Sequence, residues 1–212
     1  MPLQNRVTPL SEIVADQARG TMMGNRGGPL HDDEKRLTGR RWVNKHWIAC
    51  VLTFRNRMRE VMAPRRYTEL FFLDEATAFA AGHRPCFECR RADFMAYAGL
   101  WGELRGHQTR GYVAEMDDLL HAERLNPDRS KRLHSANLSD LPDGSFVIAD
   151  GLPHLVLGDA LLEWSLAGYV RARSRPARGK IQLITPPSAV KVIAAGFAPA
   201  IHPTALPLIR TQ

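Results

Sequence analysis

The sequence predicts an α+β fold in two parts: a small α+β module over residues 1–100, then a helix and a β-rich half, a small barrel or antiparallel sheet, over residues 101–212. Three observations predict it. The only cysteines, Cys50, Cys86 and Cys89, fall in the first part, where short apolar runs flank a capped helix. Val113, Met116, Leu119 and Leu120 then recur at helical spacing over residues 112–125. From Leu141 the period shortens, and turn signals at Pro142-Asp-Gly144 and Asp150-Gly151 separate brief β-rich runs.

Taken in order, Leu10 to Ala18 reads as a short amphipathic helix with Ser11 as its N-cap. Residues 20–29 read as a glycine-dense loop. It is no P-loop, since no Gly-Lys-Ser/Thr follows, and no dinucleotide fingerprint, since no strand precedes it. Trp47 to Phe54 reads as a strand, Arg55-Asn56-Arg57 as a turn, Met58 to Met62 as its return strand and Tyr67 to Phe72 as a third. Asp74 caps a helix from Glu75 to Ala81 that Gly82 closes, and Arg90 to Tyr97 forms another. In the second half the strand runs are 146–149, 155–157, 161–164, 169–173 and 180–185. Ser188 caps a last helix that ends at Gly196.

A length of 212 residues, with 44% hydrophobic and 24% charged residues, is that of a soluble globular chain of one or two domains. No apolar run reaches the length of a membrane span. The first twenty residues carry Glu12 and Asp16 and lack the apolar core of a secretory signal. Three clustered cysteines cannot form a disulfide framework, so a reducing, cytoplasmic setting is expected. The net charge of +7 is uneven: Lys35 to Arg66 holds ten Lys or Arg residues and one acid, Glu60. Such a segment gains affinity for nucleic acid by releasing counterions from phosphates. It is equally compatible with a solvated surface, because 24 of the 29 basic residues are Arg, which points to compositional bias.

The cysteines carry the clearest chemistry. Cys86-x2-Cys89 has knuckle spacing, and His46-x3-Cys50 supplies two further donors, so the four could complete a tetrahedral zinc site. Cys50 as a buried strand residue and His46 as a surface residue remain open alternatives. With zinc bound, the ion would substitute for much of the module's core.

Phe71-Phe72-x-Asp74, followed by Ala80-Ala81-Gly82-His83-Arg84-Pro85-Cys86-x2-Cys89-Arg90, resembles the N-terminal zinc-binding domain of the Ada DNA-repair protein. It also resembles the Ada-like domains attached to some bacterial nucleases. The likeness covers residues 42–95, under a third of the chain. It implies a zinc fold held by His46, Cys50, Cys86 and Cys89, with DNA favoured over RNA as the partner. In Ada the first pair is Cys-x3-Cys, and its first thiolate accepts a methyl group from a DNA phosphotriester. His46 stands at that place, and an imidazole cannot serve as that nucleophile. The resemblance is therefore closer to the nuclease-associated domains, and methyl-phosphotriester repair is not expected.

The expected nucleic-acid contacts are Arg40, Arg41, Arg55, Arg57, Arg65 and Arg66 in the basic segment, with Arg84, Arg90 and Arg91 flanking the knuckle. Arg84 could equally be a buried structural arginine. Trp42, Trp47, Phe54 and Tyr67 lie among the basic residues, as on a stacking surface, although Trp47 and Phe54 read as inward-facing. Asp118 and His121, with Asp117 on the same helix and His107 and His134 near in sequence, could form a second metal site or a general base. An ordinary polar helix face explains them as well. His31, His154 and His202 read as structural. Two other readings follow: a metal-dependent enzyme acting on nucleic acid, or a module that docks on a protein partner.

Overall fold

The computed structural model describes residues 1–57, 60–107 and 112–209. It contains two six-stranded sheets and five helices among those residues. The first sheet is built from β1 (Gln4–Val7), β2 (Ile13–Ala15), β3 (Met22–Asn25), β4 (Ile48–Val51), β5 (Leu70–Phe72) and β6 (Arg84–Pro85) in the order β2-β1-β5-β3-β4-β6. The pairs β1–β5 and β4–β6 are parallel and the others antiparallel. The second sheet is antiparallel throughout: β7 (His134–Asn137), β8 (Phe146–Ala149), β9 (Leu152–Leu157), β10 (Ala160–Ser165), β11 (Gly168–Ser174) and β12 (Lys180–Leu183), in the order β11-β10-β9-β8-β12-β7. It is open, so the antiparallel-sheet form of the expectation holds and the barrel form does not: β11 and β7 stay at opposite edges.

Helix α1 (Glu75–Ala80) lies at the centre, with all six residues buried. Asp74 starts it, accepting hydrogen bonds from the Thr77 amide at 2.8 Å and the Thr77 hydroxyl at 2.7 Å. The other Asp74 oxygen accepts from the Tyr169 hydroxyl at 2.7 Å and the His202 amide at 2.9 Å, tying the cap to β11 and the C-terminal segment. Each face of α1 enters a different apolar cluster. Ala76 and Ala80 pack with Phe146, Leu155 and Leu162 of the second sheet, and Ala78 and Ala81 with Val7, Leu70 and Phe72 of the first. Phe79 packs with Tyr97, Trp101, Met116, Leu120 and Val192 of α2 (Arg91–Leu104), α3 (Val113–Arg124) and α4 (Pro187–Ala194). A short α5 (Ala205–Ile209) closes the second sheet's cluster through Ala205. The expectation that an ion would substitute for much of the first part's core is corrected, since its strands bury ordinary apolar side chains on α1.

Several local expectations are corrected. Leu10 to Ala18 is not helical. Ile13–Ala15 pairs with β1, and Ser11 takes φ 69° to turn the chain and donates its hydroxyl to Ala81 O at 2.7 Å. The glycine-dense segment contains β3, an interior strand. At Gly24 a Cβ would stand 2.1 Å from Ile48 O, so the absent side chain is what lets β4 approach. Of the expected return strand, residues 58–59 lie outside the described residues, while 60–62 form no strand and Met62 has φ 54°. Ser188 lies inside α4 rather than capping it, and gives its amide and hydroxyl to Glu123. No helix among the described residues is long and apolar enough to cross a membrane.

Candidate metal centre

The pairing of two short strands builds the centre. β6 runs parallel beside β4, with Ile48 opposite Arg84 and Ala49 opposite Pro85, and the Cys86 amide donates to Ala49 O at 2.9 Å. Cys86 therefore emerges next to Cys50. The chain then turns, with Arg90 N donating to Cys86 O at 3.1 Å, and α2 begins at Arg91. This turn brings Cys89 back over the same spot. The Glu88 amide lies 3.4 Å from Cys86 Sγ and donates to it.

The sulfurs of Cys50, Cys86 and Cys89 lie within 4.8 Å of one another, and the three residues could hold a metal ion. Bonds of about 2.3 Å to a tetrahedral zinc would set sulfurs about 3.8 Å apart, so only a small contraction separates this arrangement from a coordinated one. Met23, Ile48 and Phe71 surround the sulfurs, which keeps water from two of them. Hydrogen bonds from Cys50 and Cys89, with amide donors behind, hold the Cys86 thiol well below its usual range. The Cys50 thiol, hydrogen-bonded to Cys86 and buried, is pushed far up. One thiolate thus forms readily and a second only with difficulty, the electrostatic state that a divalent cation relieves.

His46 is not in this group. Its Nε2 lies 3.7 Å from Asp117 Oδ2, and its side chain is 63% exposed. His46 precedes β4 (Ile48–Val51), and its imidazole is turned toward Asp117 rather than toward the three sulfurs. Among the described residues no fourth His, Cys, Asp or Glu joins the three sulfurs.

The arginines divide. Arg84 is buried and holds Asp117 through two parallel hydrogen bonds of 2.8 and 2.7 Å, with its guanidinium 5.1 Å from the Phe94 ring. Arg90 is likewise taken up, by Glu75 at 2.5 Å and Asp93 at 2.8 Å. These two are corrected from phosphate contacts to structural ties. Arg91 is exposed and lies 4.7 Å over Phe87, itself 48% exposed. Arg55 and Arg57 lie 4.9 and 5.4 Å from the Phe54 ring, and Arg57 also pairs with Glu88 of the knuckle at 3.0 Å. Arg40, Arg65 and Arg66 are exposed, and Arg41 donates to Ser11 O at 3.4 Å.

Asp118 and His121 do not form a couple. Asp118 pairs with Lys45 at 2.6 Å, and His121 Nδ1 lies 2.8 Å from an Arg124 nitrogen, so the second-metal and general-base expectations lose their geometry. His107 stacks on Trp101 and Tyr112, and His134 lies 2.8 Å from Glu123 O. His31, His154 and His202 each contact a nearby hydroxyl or carbonyl, in keeping with a structural role.

Sequence reasoning missed a second concentration of charge. The Arg26 and Arg124 guanidinium groups each lie 3.9 Å from the centre of the buried Trp47 ring, with His83 and Lys131 close by. None of the four has a carboxylate partner among the described residues. Arg26 donates to Ser11 O and Arg41 O, Arg124 to Gly82 O and Lys45 O, and Lys131 to Ala80 O. Gly82 is required here twice over. Its φ is +86°, and a Cβ would meet Arg124 Cδ at 2.5 Å. Burial holds His83 well below its usual range, helped by the neighbouring Arg26 and Arg124 charges. No spacing rule flags this cluster, since its members lie in four separate segments.

No family model matches the chain, and neither does any curated protein or solved structure. Nothing in those comparisons identifies the Ada-like domain that residues 42–95 resemble.

Proposed function

We propose that this protein holds a zinc ion through Cys50, Cys86 and Cys89, leaves its fourth position to a ligand from outside the chain, and binds nucleic acid with the surface around the knuckle. The observation that carries the reading is the convergence of three sulfurs from segments far apart in sequence. A soft, all-sulfur donor set selects zinc over the oxygen-seeking cations. The nucleic-acid part is supported by the exposed Phe87 beneath Arg91 and by Phe54 beside Arg55 and Arg57. These pair stacking faces with unburied positive charge, as single-strand binding needs. The resemblance to Ada-like domains supports both parts, and favours DNA. An open position on zinc is also what an enzyme of metal-assisted chemistry would require, which keeps that class as the second reading.

The test measures zinc per chain and binding of a fluorescent single-stranded DNA across a salt series. One zinc is expected in wild type and in His46→Ala, and none in Cys86→Ser. Loss of zinc in His46→Ala would instead establish the four-ligand set that the resemblance implies. DNA affinity is expected to fall steeply with salt and further in Arg55→Glu/Arg57→Glu/Arg91→Glu. Binding that ignores salt, or none, removes the nucleic-acid reading and leaves the metal centre standing.

A further inference from the structure

His121 was released from the catalytic reading above, and its surroundings form a site of their own. Past the end of α3 a groove of about 380 Å³ is lined by Trp42, His121, Leu125, Asn126, Arg129 and Arg132, with Ala122 and Pro127 completing it. That volume suits a single small ligand. One wall is a fixed turn. Asn126 N donates to Ser130 O at 3.0 Å, Arg129 N to Asn126 O at 2.9 Å, and Asp128 Oδ1 accepts from the Ser130 amide and hydroxyl at 2.9 and 2.7 Å. Arg129, at φ 69°, is held at the tip of this turn, with its guanidinium 5.9 Å from the Trp42 ring.

The polar groups are set for an anion. Arg129 and Arg132 are exposed and have no carboxylate partner among the described residues; Arg132 donates to Ala122 O at 3.0 Å. Arg124, buried behind the groove, has a nitrogen 2.8 Å from His121 Nδ1. A guanidinium can only donate, so Nδ1 accepts and the imidazole carries its proton on Nε2. Burial and the Arg124 charge push the His121 pKa down to about 4, which keeps the ring neutral. The ring meets Trp42 in a T-shaped contact at 5.1 Å and 72°, which holds the indole in place at the groove wall.

We propose that this groove binds a nucleoside monophosphate group, stacking its base on Trp42 and taking its phosphate between Arg129 and Arg132. The His121 Nε2–H supplies a neutral donor to the same ligand. The group can be a free nucleotide or the 5′-phosphorylated end of a strand. This inference uses none of the residues of the metal centre and survives the loss of either part of the reading above.

The experiment is calorimetric titration of the full chain with AMP, adenosine, a 5′-phosphorylated hexanucleotide and its 5′-hydroxyl counterpart. AMP or the phosphorylated strand is expected to bind, with the unphosphorylated partner weaker by about tenfold. Tighter binding of AMP assigns the site to free nucleotides, and tighter binding of the phosphorylated strand assigns it to strand ends. Trp42→Ala is expected to weaken the bound ligand by about tenfold through loss of stacking. Arg129→Gln/Arg132→Gln, which alters exposed side chains only and so keeps the fold, is expected to weaken it as much. Cys86→Ser leaves it unchanged. No binding of either phosphorylated ligand at millimolar concentration overturns the proposal. So does binding that both the Trp42 and the double arginine variants retain, or a phosphorylated ligand that binds no better than its unphosphorylated counterpart.

Discussion

The cysteine knuckle and the surroundings of Trp47 are both places where like-charged groups crowd together, and they resolve the crowding in opposite ways. At the knuckle three potential anions converge among apolar side chains, with amide N–H groups and one another's sulfurs as polar neighbours. At Trp47 Arg26, His83, Arg124 and Lys131 converge, and main-chain carbonyls and the π face of the indole absorb the charge of the two arginines, while His83 stays neutral. The first arrangement could hold a cation from outside. The second is met largely from within, with only His83 Nδ1 and Arg124 Nε left without a hydrogen-bond partner among the described residues. Concentrated charge therefore marks a binding site only where the protein has not already supplied the countercharge or dipoles.

The largest expected effect sharpens the knuckle side of that contrast. If the three sulfurs hold zinc as proposed, chelation or Cys86→Ser removes a ligand that binds only the folded chain. With free zinc at 1,000 times Kd that binding is worth about 4 kcal/mol. Thermal unfolding of wild type, followed with and without chelator, should shift by about 8–16 °C on this scale. An unchanged melting temperature would mean that the sulfurs are complete without an ion.

A second prediction separates the two kinds of buried arginine. Arg84→Met leaves Asp117 buried without its partner, at a cost of about 3–5 kcal/mol. Arg124→Met orphans no charge, only neutral acceptors (the Gly82 and Lys45 carbonyls and His121 Nδ1), and should cost about 2 kcal/mol. Urea unfolding of the two variants gives the order directly. An Arg124 variant as damaged as the Arg84 variant would break the claim that carbonyls and π contact satisfy the cluster without a counterion.

The smallest effect is a pH dependence. His83 and His121 both titrate lower in the folded chain than the usual 6.5, His121 at about 4. Between those values the unfolded chain binds more protons. The stabilisation from keeping both rings neutral is therefore full above pH 6.5 and is lost progressively as pH falls. Melting temperatures from pH 7.5 down to pH 4.5 should fall, and His121→Gln should flatten part of that slope. A profile that the substitution leaves unchanged would remove His121 from the account.

What the sequence disclosed divides along the range of the interactions. Asp74, the α1 run and Gly82 are a local start and stop signal, and the strands after Leu141 are joined by short turns, so their order follows the chain. The Cys-x2-Cys knuckle is also local. The first sheet is different. β1 pairs with β5 across more than sixty residues, β3 hides inside a glycine-dense segment, and β6 is two residues long. None of these has a periodicity to detect. His46 has the same limit, because it lies before β4 and its imidazole meets Asp117, which is far away in the sequence. Arg84 illustrates a further limit, since its partner Asp117 lies 33 residues away and nothing near the knuckle announces it.

The smallness of α1 carries one more consequence. Ala76 and Ala80 touch one sheet, Ala78 touches the other, and no residue of the helix reaches solvent. The methyl groups act as spacers that set how far apart the two sheets stand. A larger side chain at any of the three would have to widen that gap, and Asp74 and Glu75, bonded to His202 and Ala200, would be dragged with it. The width of an alanine is thus the gauge to which the whole protein is assembled.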